Sequence, residues 1–153
     1  MPNTPALIGA GVTGLNADNT VGTDDRAAAT ALFATAGAVA WVDDEALMDA
    51  VTAVSGSGPA YFFLLIEAMI DAAQAQGLPP EVARTLVLNT ALGAARMALG
   101  SDVPPGVLRE RVTSPGGTTA AALHTFADGG FRELTARAID AATRRGRELS
   151  GVG

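Results

Sequence analysis

The stretch SGSGPAYFFLLIEAMIDAAQAQG, Ser55 to Gly77, decides how this chain folds. Pro59 suits the first position of a helix, where its missing N–H would have no partner in any case. Nothing from Ala60 to Gln76 interrupts a helix, and Gly77 with Pro79 beyond it supplies a stop. Glu67 and Asp71 stand four residues apart and so share one face. Nearly every other face is apolar, which predicts a helix covered on most sides. The two acids are expected to meet an arginine from a neighbouring or symmetry-related helix, with Arg84 and Arg96 the candidates.

Outward from this segment the helical pattern continues. Downstream, helices are predicted over Glu81–Leu99, Pro105–Arg111, Thr118–Ala127 and Phe131–Leu149. Arg144, Arg145 and Arg147 crowd the end of the last one, where cations complement the helix dipole. Upstream, a short helix over Ala46–Val54 is expected to end at Ser55-Gly56-Ser57-Gly58. Before it the character changes. Leu7–Leu15 and Ala38–Val42 read as β-like pieces around a helix from Asp24 to Thr35. Two short strands and one helix cannot close a core, so part of a sheet is expected to be missing. The predicted fold is mainly α, with an all-α bundle over residues 46–153 preceded by a short α/β segment over residues 1–45.

Composition narrows the chemistry. At 153 residues the chain has the length of about one domain, and its net charge of −6 argues against a nucleic-acid partner held by a basic surface. All ten basic residues are Arg, so a Schiff-base or P-loop lysine is excluded within this chain. There is no Cys, hence no thiol nucleophile, disulfide or Cys-ligated zinc, and His124 is the only His. Charged residues make up 17%, against about 25% in typical domains, while apolar residues reach 48%. Low charge with many alanines suits closely packed helices and oligomerisation. Met1 is followed by Pro-Asn-Thr-Pro, which does not read as a secretory signal. The longest apolar run, Ala60 to Ile66, is far short of a membrane span, so no membrane association is expected.

The segment Val112-Thr113-Ser114-Pro115-Gly116-Gly117-Thr118-Thr119-Ala120-Ala121-Ala122-Leu123 carries the clearest chemistry. It reads as a tight loop feeding a helix. Thr118 and Thr119 bring hydroxyls to a first turn whose backbone N–H groups lack intrahelical partners. Such a place suits a carboxylate or phosphate. An ordinary loop with a threonine cap is the plain alternative. Three other features point less far. Gly9-Ala10-Gly11-Val12-Thr13-Gly14 matches G-x-G-x-x-G, but a dinucleotide fingerprint needs a helix directly after it, and Leu15-Asn16-Ala17-Asp18-Asn19 reads as strand end and loop. A glycine-rich strand lying close to another element is the expectation. Ser57 lacks the flanking pattern of a nucleophile elbow, and His124, its only available base, has no evident orienting partner and reads as structural.

Taken together, Met1-Pro2-Asn3-Thr4-Pro5, Val51 to Tyr61, Val112 to Thr119 and Gly129-Gly130-Phe131-Arg132, in that order, resemble pyrroline-5-carboxylate reductase over essentially the whole chain. The resemblance implies several things. Residues 1–45 would be the end of a dinucleotide-binding Rossmann domain most of which lies outside this sequence. Residues 46–153 would form a helical dimerisation and substrate-binding domain, as an interlocked homodimer, with rings of dimers as a larger assembly. The implied reaction is hydride transfer from NADPH or NADH to the C=N carbon of 1-pyrroline-5-carboxylate, giving L-proline, in the cytoplasm. Ser114, Gly116, Gly117, Thr118 and Thr119 would bind the substrate carboxylate, with the Thr119 hydroxyl near the ring nitrogen as the catalytic group. Asn3, Thr4 and Pro5 would border the nicotinamide pocket. No metal is implied. The chain alone is expected to be inactive for lack of a cofactor domain. The rival readings are a non-catalytic dimerisation or small-acid-binding module, and a hydrolase using Ser57 and His124.

Overall fold

A computed structural model describes residues 1–151. The chain opens with a 3-10 turn, Thr4–Ile8, started with Pro5 in its first positions and closed by Gly9 in the left-handed region. The β-like reading of Leu7–Leu15 therefore holds only in its second half. Strand β1 is Gly11–Leu15, helix α1 is Thr23–Ala34, and strand β2 is Gly37–Trp41. The two strands are parallel, with Gly11 opposite Gly37 and Leu15 opposite Trp41. Helix α1 is the crossover that a parallel pair requires. Asp24 and Asp25 lie in its first turn, where the dipole favours them.

The glycines of β1 mark close approach, as expected. A Cβ at Gly11 would lie 2.7 Å from Ala6 Cα, in the 3-10 turn. One at Gly14 would overlap Val51 Cγ1. No helix follows directly, so the G-x-G-x-x-G match is a strand and not a phosphate loop. The loop after β1 is held by Arg26, whose Nη2 donates to Ala17 O at 2.9 Å while its guanidinium lies 4.9 Å from the Trp41 ring centroid. Within that loop the Thr20 hydroxyl and then its amide donate to Asp18 and hold its carboxyl below the usual range, Arg26 adding a smaller pull.

The next run departs from expectation. A 3-10 turn, Glu45–Leu47, leads into helix α2, Met48–Val51, then a π-helical turn, Thr52–Gly56, and helix α3, Gly58–Ala75. Ser55-Gly56-Ser57-Gly58 is thus not an ordinary break. The Ser57 N–H reaches back five residues to Thr52 O at 2.8 Å. The Thr52 and Ser55 hydroxyls donate to Met48 O and Val51 O, bonding into the helix instead of capping it. The Tyr61 hydroxyl donates to Ala53 O at 3.1 Å and ties the start of α3 across the turn.

The remaining helices are α4, Pro80–Leu99; α5, Pro105–Arg111; α6, Thr118–Asp128; and α7, Phe131–Ser150. Their boundaries fall within a residue of the sequence reading, because Pro and Gly punctuate each one. The mainly-α fold class stands. The chain divides into two compact units: Met1–Phe62 with the described residues from Thr135 onward, and Phe63–Leu134. The first holds the sheet, α1, α2 and the π turn, and buries Thr13 and Ala53. The second holds most of α3 with α4, α5 and α6, and buries only Ala83 and Val87 among its apolar residues. Phe126 and Phe131 pack edge to face there, 5.4 Å between centroids.

Many large apolar side chains stay exposed, among them Phe63, Leu64, Leu86 and Met97, at 64%, 65%, 52% and 61%. By length and composition the helical run Glu45–Ala75 contains an 18-residue stretch apolar enough to cross a membrane, with a mean hydropathy of 1.4. Exposed apolar helix faces of this extent are also what a protein partner covers.

The strand glycines give a direct test. Gly11→Ala forces a Cβ against backbone atoms of Ala6 and should cost about 1–3 kcal/mol, the usual range for overpacking. A lowered urea midpoint at fixed protein concentration, with helicity retained, is the expected result.

Candidate functional site

Helix α5 ends at Arg111, and the Thr113 N–H and hydroxyl turn back to Glu110 O and Arg109 O. The chain then makes one tight turn. Gly117 N–H donates to Ser114 O at 3.0 Å, with Pro115 and Gly116 between them. Gly116 has φ +69°, the left-handed value that a type II turn requires at its third position. Pro115 sits just before it, where a fixed negative φ is wanted.

Gly117 is the residue that starts α6, with φ −80° and ψ 173°, and no side chain caps the helix. The plain alternative of a threonine cap is therefore set aside: Thr118 and Thr119 are the first and second helical residues. Gly117 O accepts from Ala121 N–H at 3.1 Å. Among the described residues, the N–H groups of Thr118, Thr119 and Ala120 have no acceptor, and the Ser114, Thr118 and Thr119 hydroxyls make no hydrogen bond. No acidic residue lies in the first turn of α6 to compensate the positive end of its dipole. Ser114 and Thr118 are exposed and Thr119 is half-buried. The helix start thus carries three unpaired amides, with three hydroxyl-bearing residues in the same short stretch and no formal charge. The Ala120 amide was not singled out from sequence, although counting three residues past the helix start would have found it.

Asn3, Thr4 and Pro5 lie at the head of the other unit. Asn3 is half-buried and fully engaged: its Nδ2 donates to Ser55 O at 3.1 Å, and its Oδ1 accepts from Val12 N–H at 3.0 Å. It fastens the π turn to β1. Thr4 is exposed and makes no side-chain hydrogen bond among the described residues. Pro5 is half-buried in the same turn.

His124 is exposed on α6, its Nε2 3.4 Å from Asp128 Oδ2 on the same helix. It does have a carboxylate partner, one turn on, which the i, i+4 spacing could have revealed. Among the described residues no group of three or more His, Asp or Glu is placed to hold a metal ion.

The sequence pattern of the pyrroline-5-carboxylate reductase dimerisation family matches residues 45–149. The chain belongs to this family. It is 54% identical over 150 residues to a pyrroline-5-carboxylate reductase of Pseudomonas aeruginosa, covering 98% of this chain and 55% of that protein. It is 45% identical to one of Pisum sativum over the same shares. Among solved structures, a pyrroline-5-carboxylate reductase from Coxiella burnetii superposes with a TM-score of 0.95 at 46% identity, covering 97% of this chain and 55% of that one. The Plasmodium falciparum enzyme with NADP bound gives 0.89 at 36%, covering 97% and 61%. The chain spans about half the length of the curated relatives it matches.

Because both ends of the Asn3 amide are used inside the unit, Asn3→Ala should behave as a stability variant. Loss of two half-buried hydrogen bonds is expected to cost about 1–3 kcal/mol, read as a lower thermal midpoint than the wild-type chain.

Proposed function

We propose that this chain is the substrate-binding and dimerisation portion of a pyrroline-5-carboxylate reductase. The observation that carries the reading is the Ser114–Thr119 turn. It presents three unpaired amides at one helix start, within the stretch matched by the family. The carboxylate of 1-pyrroline-5-carboxylate, or of the product L-proline, would lie on the amides of Thr118, Thr119 and Ala120. The Ser114 and Thr118 hydroxyls would complete its shell. Gly116 and Gly117 let the backbone come close because no side chain intervenes. The half-buried Thr119 hydroxyl would sit beside the ring nitrogen and fix which face of the C=N bond is presented. Orientation of this kind carries much of the rate in such a reaction. An imine that binds already protonated needs no general acid, which suits a chain without Lys or Cys and with a single, exposed His.

The hydride would come from NADPH or NADH. The described residues do not fit that cofactor's pyrophosphate, since Gly9–Gly14 leads from a 3-10 turn into a strand and presents no helix start. Asn3, Thr4 and Pro5 would contribute to the nicotinamide side, Asn3 through its backbone and its hold on Ser55. Partners on this reading are the cyclic imino acid, L-proline and a second copy of the chain, with rings of dimers as a further assembly. The location is cytoplasmic, and neither nucleic acid nor membrane is engaged.

Two measurements test this. The 153-residue chain should bind L-proline weakly and oxidise neither NADPH nor NADH. Thr119→Val should weaken that binding about tenfold, the loss of one hydrogen bond to a charged ligand, and leave the mass in solution unchanged. A chimera in which this chain replaces the matching half of the Pseudomonas aeruginosa relative should reduce 1-pyrroline-5-carboxylate. Equal proline binding by wild type and variant removes Thr119 from the site. A folded chimera that binds NADPH but reduces nothing overturns the reading as a whole.

A further inference from the structure

Helices α3 and α4 enclose an open groove of about 460 Å³. Its apolar walls include Phe63, Ile66, Ile70 and Leu88, and its charged groups are Glu67, Asp71 and Arg84. All belong to one compact unit. Phe63 and Leu88 are 64% and 38% exposed. The three charges share the groove, yet among the described residues no ion pair within 4.0 Å joins Arg84 to either acid. Acids and arginines elsewhere do pair: Arg144 with Asp140, and Arg145 with Glu148. Arg96, the other candidate from sequence, does not line this groove.

We propose that this groove is closed by the same groove of a second copy, with Arg84 of each copy bridging Glu67 and Asp71 of the other. The inference rests on the dimer reading above and adds its recognition element. The occupant has to satisfy two conditions at once. It must cover apolar walls, and it must bring a guanidinium to two carboxylates and a carboxylate to one guanidinium. A purely apolar partner would strand all three charges away from water. A second copy meets both conditions by symmetry, because in a two-fold interface residue i faces j and j faces i.

The spacing fits. Glu67 and Asp71 are one turn apart on the same face and repel each other when alone. The planar fork of an arginine presents five donors and can hydrogen-bond two such carboxylates together. Apolar side chains exposed on the same two helices, Leu64, Met69 and Leu86 among them, extend the surface that a second copy would cover.

The test uses two variants of the full chain, Arg84→Glu and the double variant Glu67→Arg with Asp71→Arg. Each opposes like charges to itself in a homodimer. Mixed together they restore both bridges. The carboxylate introduced at position 84 of one copy meets the two guanidinium groups introduced at positions 67 and 71 of the other, while the unchanged Arg84 meets the unchanged acids. Each variant is co-expressed in two differently tagged forms, alone and then crossed. The expected result is at least a tenfold drop in self-association for each variant, and recovery of wild-type co-purification and dimer mass for the cross. Co-expression keeps the test informative where a lone variant fails to fold, because the cross alone must rescue it. Undiminished self-association of both variants overturns the proposal. So does a cross that fails while a single chain carrying all three changes dimerises, which places the bridge within one chain. A wild-type chain that is monomeric at tens of micromolar instead overturns the dimer reading itself.

Discussion

The constraint on which this structure depends is that its helices bury almost nothing on their own. Among the described residues only Ala53, Ala83 and Val87 are buried apolar side chains, and none is large. Burying a Leu or Phe side chain contributes about 1.5–3 kcal/mol. Phe62, Phe63, Leu64, Leu86 and Met97 all forgo most of that within the chain. The helices are long and well stopped, so they persist as elements, but within the chain they share almost no apolar core. A second copy covering those faces, as proposed, would account for the low charge fraction, since a surface meant for burial cannot be spread with solvated charges.

The same constraint separates what was legible in sequence from what was not. Helix ends were legible because they are local. Pro105 opens α5, Gly100 follows α4, and Gly129-Gly130 separate α6 from α7. The parallel strands were legible only as orphan β-like pieces, since pairing depends on residues far apart. The stretch Leu7–Leu15 looks apolar and extended throughout, yet Pro5 starts a 3-10 turn that Gly9 closes, so half of it is no strand. At Ser55-Gly56-Ser57-Gly58 the small residues read as a break. They instead allow a π turn, because the Ser and Thr hydroxyls find acceptors one turn back in the helix.

The candidate site shows a similar split. That Ser114–Thr119 is a turn into a helix start could be read from Pro and Gly alone. That the capping residue is Gly117, leaving both threonine hydroxyls free, could not, because Thr is at least as good a capping residue by preference. Asn3 shows the limit on the other side. The resemblance sets it at the border of a nicotinamide pocket; the fold adds that its side chain is engaged by Ser55 and Val12. Only the fold reveals that, since the partners lie 52 and 9 residues away.

A site made from backbone amides has a consequence for how its variants behave. Side-chain changes at Ser114, Thr118 or Thr119 remove hydroxyls but leave the three amides in place, so each is expected to weaken anion binding by degree. Abolition requires moving the backbone. Gly116 is the residue that controls it, because any side chain at φ +69° is strained. The turn that Gly116 permits sets the direction of Gly117 and hence of the first turn of α6. On the proposed reading, recognition of a small carboxylate would reside in a backbone conformation and would need no lysine, despite the net charge of −6. The positive end of α6 is suited to that task without any charged side chain at the turn itself.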